Sequence, residues 1–127
     1  MVERSLEGCR ILVAEDEYLL AEDLSHALAS AGASVLGPVP TLDEATALIS
    51  GDTEIDAAIL DVNLRGEMIF PVADALKDRG VPFAFATGYD QWALPERFAA
   101  TPRVEKPFKV SKIGGVLGLL LKATPTG

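Results

Sequence analysis

The chain is expected to fold as an α/β domain: a five-stranded parallel sheet of order 2-1-3-4-5, doubly wound with helices on both faces, a (βα)5 sandwich. Three observations predict it. Short apolar runs alternate with amphipathic segments along the whole sequence. The runs, such as Ile11-Leu12-Val13-Ala14 and Ala57-Ala58-Ile59-Leu60, lack polar alternation, as strands covered on both faces do. Right-handed crossovers between such strands give the doubly wound arrangement.

The elements follow in order. Arg10 to Ala14 reads as a buried strand. A helix from about Glu17 to Ala31 carries Leu20, Ala21, Leu24, Ala27, Leu28 and Ala31 at three- and four-residue steps, and Gly32 is its stop. Ser34 to Leu36 is a second strand, ended by Gly37-Pro38. Thr41 and Glu44 have capping-box spacing and open a helix that turns Leu42, Ala45, Leu48 and Ile49 inward and stops near Gly51. Ile55 to Asp61 is the third strand. A helix from about Met68 to Asp78 follows, with Ile69, Val72, Ala73 and Leu76 inward. Pro82 to Thr87 is the fourth strand. Tyr89 to Ala100 is the least regular segment, because Pro95 breaks a helix unless it lies in the first turn. Arg103 to Glu105 is a short fifth strand. Lys109 to Lys122 is the last helix, with Ile113, Val116, Leu117, Leu120 and Leu121 as its apolar face. Gly114, Gly115 and Gly118 each cost that helix ~1 kcal/mol against alanine, so it is either loosely held or closely packed at its glycines.

Composition bounds the function. With 127 residues, 49% hydrophobic and 24% charged, residues 1–127 form one globular domain. A net charge of -8 argues against nucleic acid bound through a basic patch and fits a divalent-cation site or a basic partner. The single cysteine, Cys9, reads as a small hydrophobe; with no signal peptide, it points to a reducing cytoplasm. No apolar stretch approaches the ~20 residues of a membrane span.

Each strand ends in polar residues: Glu15-Asp16 after the first, Asp61 after the third, Thr87-Gly88 after the fourth, Lys106 after the fifth. In an open α/β sheet ligands bind beyond the carboxyl ends of the strands, and strands 1 and 3 flank the switch point. Glu15, Asp16 and Asp61 therefore converge, and three adjacent carboxylates need a proton or a cation. All-oxygen ligation suits Mg²⁺. Asp61 is then placed to take a phosphoryl group, with Mg²⁺, Lys106 and Thr87 stabilising its oxygens and Gly88 supplying an unhindered N–H.

Four blocks carry a resemblance: Ile11-Leu12-Val13-Ala14-Glu15-Asp16-Glu17, Ile59-Leu60-Asp61-Val62-Asn63-Leu64, Ala86-Thr87-Gly88 and Glu105-Lys106-Pro107-Phe108. The chain resembles the receiver domain of bacterial response regulators, a flavodoxin-like fold, over essentially its whole length. The segment Pro82-Phe83-Ala84-Phe85-Ala86-Thr87-Gly88-Tyr89 is similar to the signature of a single-domain, mainly alphaproteobacterial subgroup, the FAT GUY receivers. The resemblance implies that Asp61 is the phosphoacceptor. It implies that Asp16, Asp61 and the Asn63 carbonyl ligate Mg²⁺, with Glu15 acting through water. Lys106 would pair with Asp61 and later with the phosphoryl group, Thr87 would be the switch hydroxyl, and Lys106-Pro107 would be a cis peptide. Arg103 stands where receivers carry a switch aromatic, so Phe85, Tyr89 or the Tyr89–Ala100 segment is expected to carry the signal. Expected partners are a sensor histidine kinase and a histidine phosphotransfer or output protein, with a homodimer left open and neither nucleic acid nor membrane involved. The resemblance also implies self-catalysed phosphorylation and dephosphorylation rather than turnover, and no output domain within the chain.

Plainer readings stand beside these. Glu17 reads as first-turn charge at a helix N-terminus. His26 reads as a solvated side chain rather than a phosphohistidine. Tyr89 and Trp92 could pack on their own loop or face a partner, and Leu119-Leu120-Leu121 cannot all point inward. The main rival is a receiver-shaped interaction module that never uses phosphate. A haloacid-dehalogenase-type phosphatase would want an aspartate where Asn63 stands. A flavin-binding flavodoxin would need a Ser/Thr/Gly-rich loop after the first strand, which is absent.

Overall fold

The computed structural model describes residues 6–51, 54–88, 94–106 and 109–123. The strands are β1 (Arg10–Ala14), β2 (Ser34–Val39), β3 (Ala57–Asp61), β4 (Asn63–Leu64), β5 (Glu67–Met68), β6 (Phe83–Thr87) and β7 (Arg103–Glu105). The helices are α1 (Tyr18–Ser30), α2 (Leu42–Ser50), α3 (Phe70–Asp78) and α4 (Val110–Ala123). The main sheet runs β2-β1-β3-β6-β7, all parallel, which is the expected 2-1-3-4-5 order.

Strand alternation explains why both faces are apolar. Ile11, Val13, Ala57, Ile59, Ala84 and Val104 face one core, closed by Leu24 and Leu28 of α1 and Ile113 and Leu117 of α4. Leu12, Ala14, Ala58, Leu60, Phe83 and Phe85 face the other, closed by Ala45 and Ile49 of α2 and Val72, Ala73 and Leu76 of α3. The second core holds an aromatic cluster. Phe85 meets Phe98 edge-on at 5.4 Å and Phe70 edge-on at 6.0 Å, while Phe70 and Phe98 stack at 5.6 Å. Phe98 belongs to a 3-10 turn, Glu96–Phe98, which is all the regular structure between β6 and β7 among the described residues. Pro95 stands at its N-cap, a position where the ring does no harm. Arg97 lies 4.7 Å over the Phe98 ring and forms a bidentate pair with Asp74 of α3, at 2.9 and 3.0 Å.

Several local expectations hold. Thr41 caps α2: its Oγ1 accepts the Glu44 N–H at 3.2 Å and donates to Glu44 Oε2 at 3.1 Å. His26 is exposed, and Leu119 is 70% exposed while Leu117 beside it is buried. Cys9 is half-buried against the α1/α4 core, and burial raises its thiol pKa, so it packs rather than reacts.

Two expectations are corrected, and one open alternative is decided. β2 does not stop at Leu36; it continues through a cis Gly37-Pro38 peptide to Val39. It can do so because β2 is an edge strand, where proline forfeits no ladder bond, and because a bulge opposite Leu12–Ala14 accommodates it. Gly37 is required there: its φ is +99°, and a Cβ would come within 2.7 Å of the Val39 nitrogen. The third helix starts at Phe70 rather than Met68, because residues Asn63 to Met68 form an antiparallel hairpin, β4–β5. Its two turn residues, Arg65 and Gly66, have φ of +51° and +88°, as the tight primed turns of hairpins demand. Finally, the glycines of α4 allow no close approach: a Cβ at Gly114, Gly115 or Gly118 would have nothing within 4 Å. The Lys106-Pro107 peptide, Tyr89 and Trp92 lie outside the described residues.

Those glycines therefore only weaken the helix. Gly115→Ala, at an exposed position, should stabilise the protein by roughly 1 kcal/mol or less. Urea unfolding would show a raised midpoint at unchanged slope; a lowered midpoint would reveal a contact the glycine protects.

Candidate functional site

The carboxyl ends of β1, β3, β6 and β7 bring the polar residues together. The register sets Ala14 beside Leu60, and Asp61 beside Ala86. Glu15 and Asp61 thus emerge on adjacent strands, with Thr87 one residue further on β6. The Lys106 N–H donates to the Thr87 carbonyl at 2.7 Å, which ties the end of β7 to the end of β6. Glu15, Asp61 and Thr87 are the three buried polar or charged residues among those described, at 2%, 4% and 2% exposure.

Lys106 is the hub. Its Nζ lies 3.0 Å from Asp61 Oδ2, 3.1 Å from Glu17 Oε2 and 3.1 Å from both oxygens of Glu15. Only Glu15 Oε2 receives a well-directed bond; Oε2 also accepts the Glu17 N–H at 3.1 Å. Glu15 Oε1 is buried with no hydrogen-bond partner. The sequence reading placed Lys106 against Asp61 but missed Glu17, which at an N-cap offered no signal beyond helix charge.

The neighbours of Lys106 and Glu15 set their ionisation. Burial, then hydrogen bonding and repulsion from Asp61, push the Glu15 carboxyl up to about 8; the Glu17 N–H and Lys106 offset this only in part. Burial alone would lower the Lys106 pKa, but its bonds to Asp61 and Glu15 outweigh that and raise it. The lysine stays charged and Glu15 resists charging.

Asp16 and Asn63 are organised by the hairpin. Asp16 Oδ2 accepts the Arg65 N–H at 2.9 Å. Asn63 donates its N–H to Asp61 Oδ1 at 3.1 Å, and its side-chain oxygen accepts the Gly66 N–H at 2.7 Å. The hairpin thus fixes one oxygen each of Asp16 and Asp61. Ligand oxygens of Glu15, Asp16 and Asp61 lie within 4.8 Å of one another. An all-oxygen set at this spacing, with one buried oxygen unsatisfied, could hold a hard divalent cation.

Other expected residues lie apart from this cluster. Phe85 is fully buried in the aromatic core, one turn of strand below Thr87. Arg103 is exposed and stands opposite Phe85 in the β6–β7 register. Gly88 follows Thr87 at the strand end, half-buried. Among the described residues, no helix is long and apolar enough to cross a membrane.

No family model matches the chain. Individual proteins do. The solution structure of SdrG from Sphingomonas melonis Fr1 is 43% identical, with a TM-score of 0.78, over 89% of this chain and 96% of that one. The non-phosphorylated HemR receiver domain from Leptospira biflexa is 27% identical, with a TM-score of 0.77, over 94% and 98%. The phyllosphere-induced regulator PhyR of Methylorubrum extorquens is 34% identical over 104 residues, 80% of this chain. The chain spans less than half the length of the curated relatives it matches, 37% of PhyR. Fold, strand-end site and similarity to SdrG over nearly the length of both agree: this chain belongs to the response regulator receiver family.

Proposed function

We propose that Asp61 is the phosphoacceptor and that the domain signals by being phosphorylated there. The observation that carries this reading is the position of Asp61. It is a buried strand-end carboxylate, held by Lys106 on one oxygen and the Asn63 N–H on the other, against two further carboxylates. An Asp61 oxygen attacks the phosphorus of a phosphohistidine; the P–O bond of an aspartyl phosphate forms as the P–N bond breaks. The histidine nitrogen keeps the electron pair and takes up a proton. Lys106 and the Thr87 hydroxyl stabilise the phosphoryl oxygens, and Gly88 leaves room for them. Water later hydrolyses the acyl phosphate.

Glu15, Asp16 and Asp61, with the Asn63 carbonyl, are the proposed ligands of Mg²⁺. Mg²⁺ there supplies positive charge to offset that of the transferred oxygens. A sensor histidine kinase in the cytoplasm is the proposed donor, and a histidine phosphotransfer or output protein the recipient of the signal. SdrG has been solved in a BeF3-activated conformation, and similarity to it supports this chemistry.

With Arg103 in place of a switch aromatic, we propose that the signal leaves along β6. Thr87 and Phe85 lie on that strand, and Phe85 contacts Phe98 of the β6–β7 connection at 5.4 Å. Beryllofluoride with Mg²⁺ should therefore shift the Phe98 amide resonance; an unchanged Phe98 with a shifted Asp61 would sever this route.

Acetyl phosphate with Mg²⁺ should label the wild type, and Asp61→Asn should abolish labelling. Undiminished labelling of the variant would place the acceptor elsewhere.

The raised Glu15 pKa predicts a pH dependence. Between about pH 4.5 and 8 the folded protein keeps a proton that the unfolded chain releases, so without metal its stability falls as pH rises through that window. Urea unfolding in chelator should show this fall, and Glu15→Gln or added Mg²⁺ should flatten it. A stability that rises equally in wild type and Glu15→Gln would contradict the assignment.

A further inference from the structure

Little backbone holds the connection between β6 and β7 in place. Among the described residues, the backbone hydrogen bonds of residues 94–101 are local. The Phe98 N–H donates to the Pro95 carbonyl, the Ala99 N–H to that of Glu96 and the Thr101 N–H to that of Phe98, at 2.9–3.0 Å. Side chains therefore decide where this segment lies. The Phe98 ring, 1% exposed, meets Phe85 of β6 edge-on at 5.4 Å and stacks on Phe70 of α3 at 5.6 Å.

The Arg97 guanidinium adds a polar tie. It lies 4.7 Å over the Phe98 ring, and its Nε and Nη2 donate to Oδ1 and Oδ2 of Asp74 on α3 at 2.9 and 3.0 Å. A forked pair fixes the plane of the guanidinium as well as its distance. One flat group thus bridges the Phe98 ring and α3. Phe98 cannot shift against α3 with both contacts kept: either the guanidinium follows the ring and leaves Asp74, or it stays and leaves the ring. The two side chains are 50% and 44% exposed, so the tie is weak and is screened by salt. It is strong enough to bias a two-state element and too weak to lock one.

We propose that Asp74 and Arg97 form an ionic latch on the signal path. They hold Phe98 in the arrangement that accompanies the unmodified aspartate, whose Oδ2 accepts directly from Lys106, and they part when phosphorylation is read out through Phe85 and Phe98. The proposal rests on the readings of Asp61 as phosphoacceptor and of β6 as the route of the signal. Arg97 and Asp74 are then positioning residues that touch neither the acceptor nor the proposed metal ligands, yet set how readily the domain responds. Salt that screens the pair eases the response.

Beryllofluoride with Mg²⁺, titrated into the full chain and followed by ¹H–¹⁵N NMR, tests the latch. In the wild type the Arg97 Nε–H resonance should move toward its position in Asp74→Ala as beryllofluoride binds. Asp74→Ala and Arg97→Gln should each bind beryllofluoride about two- to fivefold more tightly, the range an exposed ion pair commands. The double variant should bind no tighter than Arg97→Gln. The two substitutions change net charge in opposite directions, so a shared tightening cannot come from the general field of the protein. Equal affinity throughout, opposite changes in the two variants, or a fixed Arg97 Nε–H beside a shifted Phe98 amide overturns the latch and leaves the route through Phe98 standing. If Arg97 and Phe98 both stay fixed while Asp61 shifts, the latch falls together with that route. A wild type that binds no beryllofluoride overturns the reading of Asp61 and the latch with it.

Discussion

Three carboxylates and one ammonium meet at the carboxyl edge of the sheet, and the rest of the molecule can be understood as what that meeting requires. Glu15, Asp61 and Glu17 would repel one another if left alone. Lys106 offsets part of that charge, but only because β7 delivers it to within 3.1 Å of all three. That delivery depends on parallel strands that all end on one side, and on the Lys106 N–H bonding the Thr87 carbonyl. The balance is incomplete. Glu15 keeps an unsatisfied buried oxygen and resists ionisation, which leaves room for a cation.

The two faces of the sheet serve this edge differently. The α1/α4 face is lined mainly by small and aliphatic side chains. The α2/α3 face holds the phenylalanines, and through Phe98 it reaches the connection between β6 and β7. Asp74 and Arg97 fasten the same connection to α3 from outside. A displacement of Thr87 at the top of β6 would thus be felt by Phe85 and passed to Phe98 within a packed cluster. Such clusters reorganise between discrete arrangements rather than deforming smoothly.

Much of this was legible in the residues. Unalternating apolar runs ending in Glu15-Asp16, Asp61, Thr87 and Lys106 predicted both the parallel sheet and the edge where the site lies. Patterning failed where backbone geometry decided the outcome. The β4–β5 strands are two residues each, too short for any periodicity, and their turn uses Arg65-Gly66 rather than a strong hairpin dipeptide. Pro38 reads as a strand stop unless the strand is known to be an edge. Glu17 could not be separated from ordinary helix-end charge without the position of a lysine 89 residues away.

Every role proposed for the residues around it depends on Asp61 being the one that carries phosphate. Borohydride reduction of the protein after treatment with acetyl phosphate and Mg²⁺ converts an aspartyl phosphate to homoserine, which peptide mass spectrometry locates. Homoserine at position 61, absent when acetyl phosphate is omitted, is the predicted result. Homoserine at Asp16 or any other aspartate, with Asp61 intact, would contradict it.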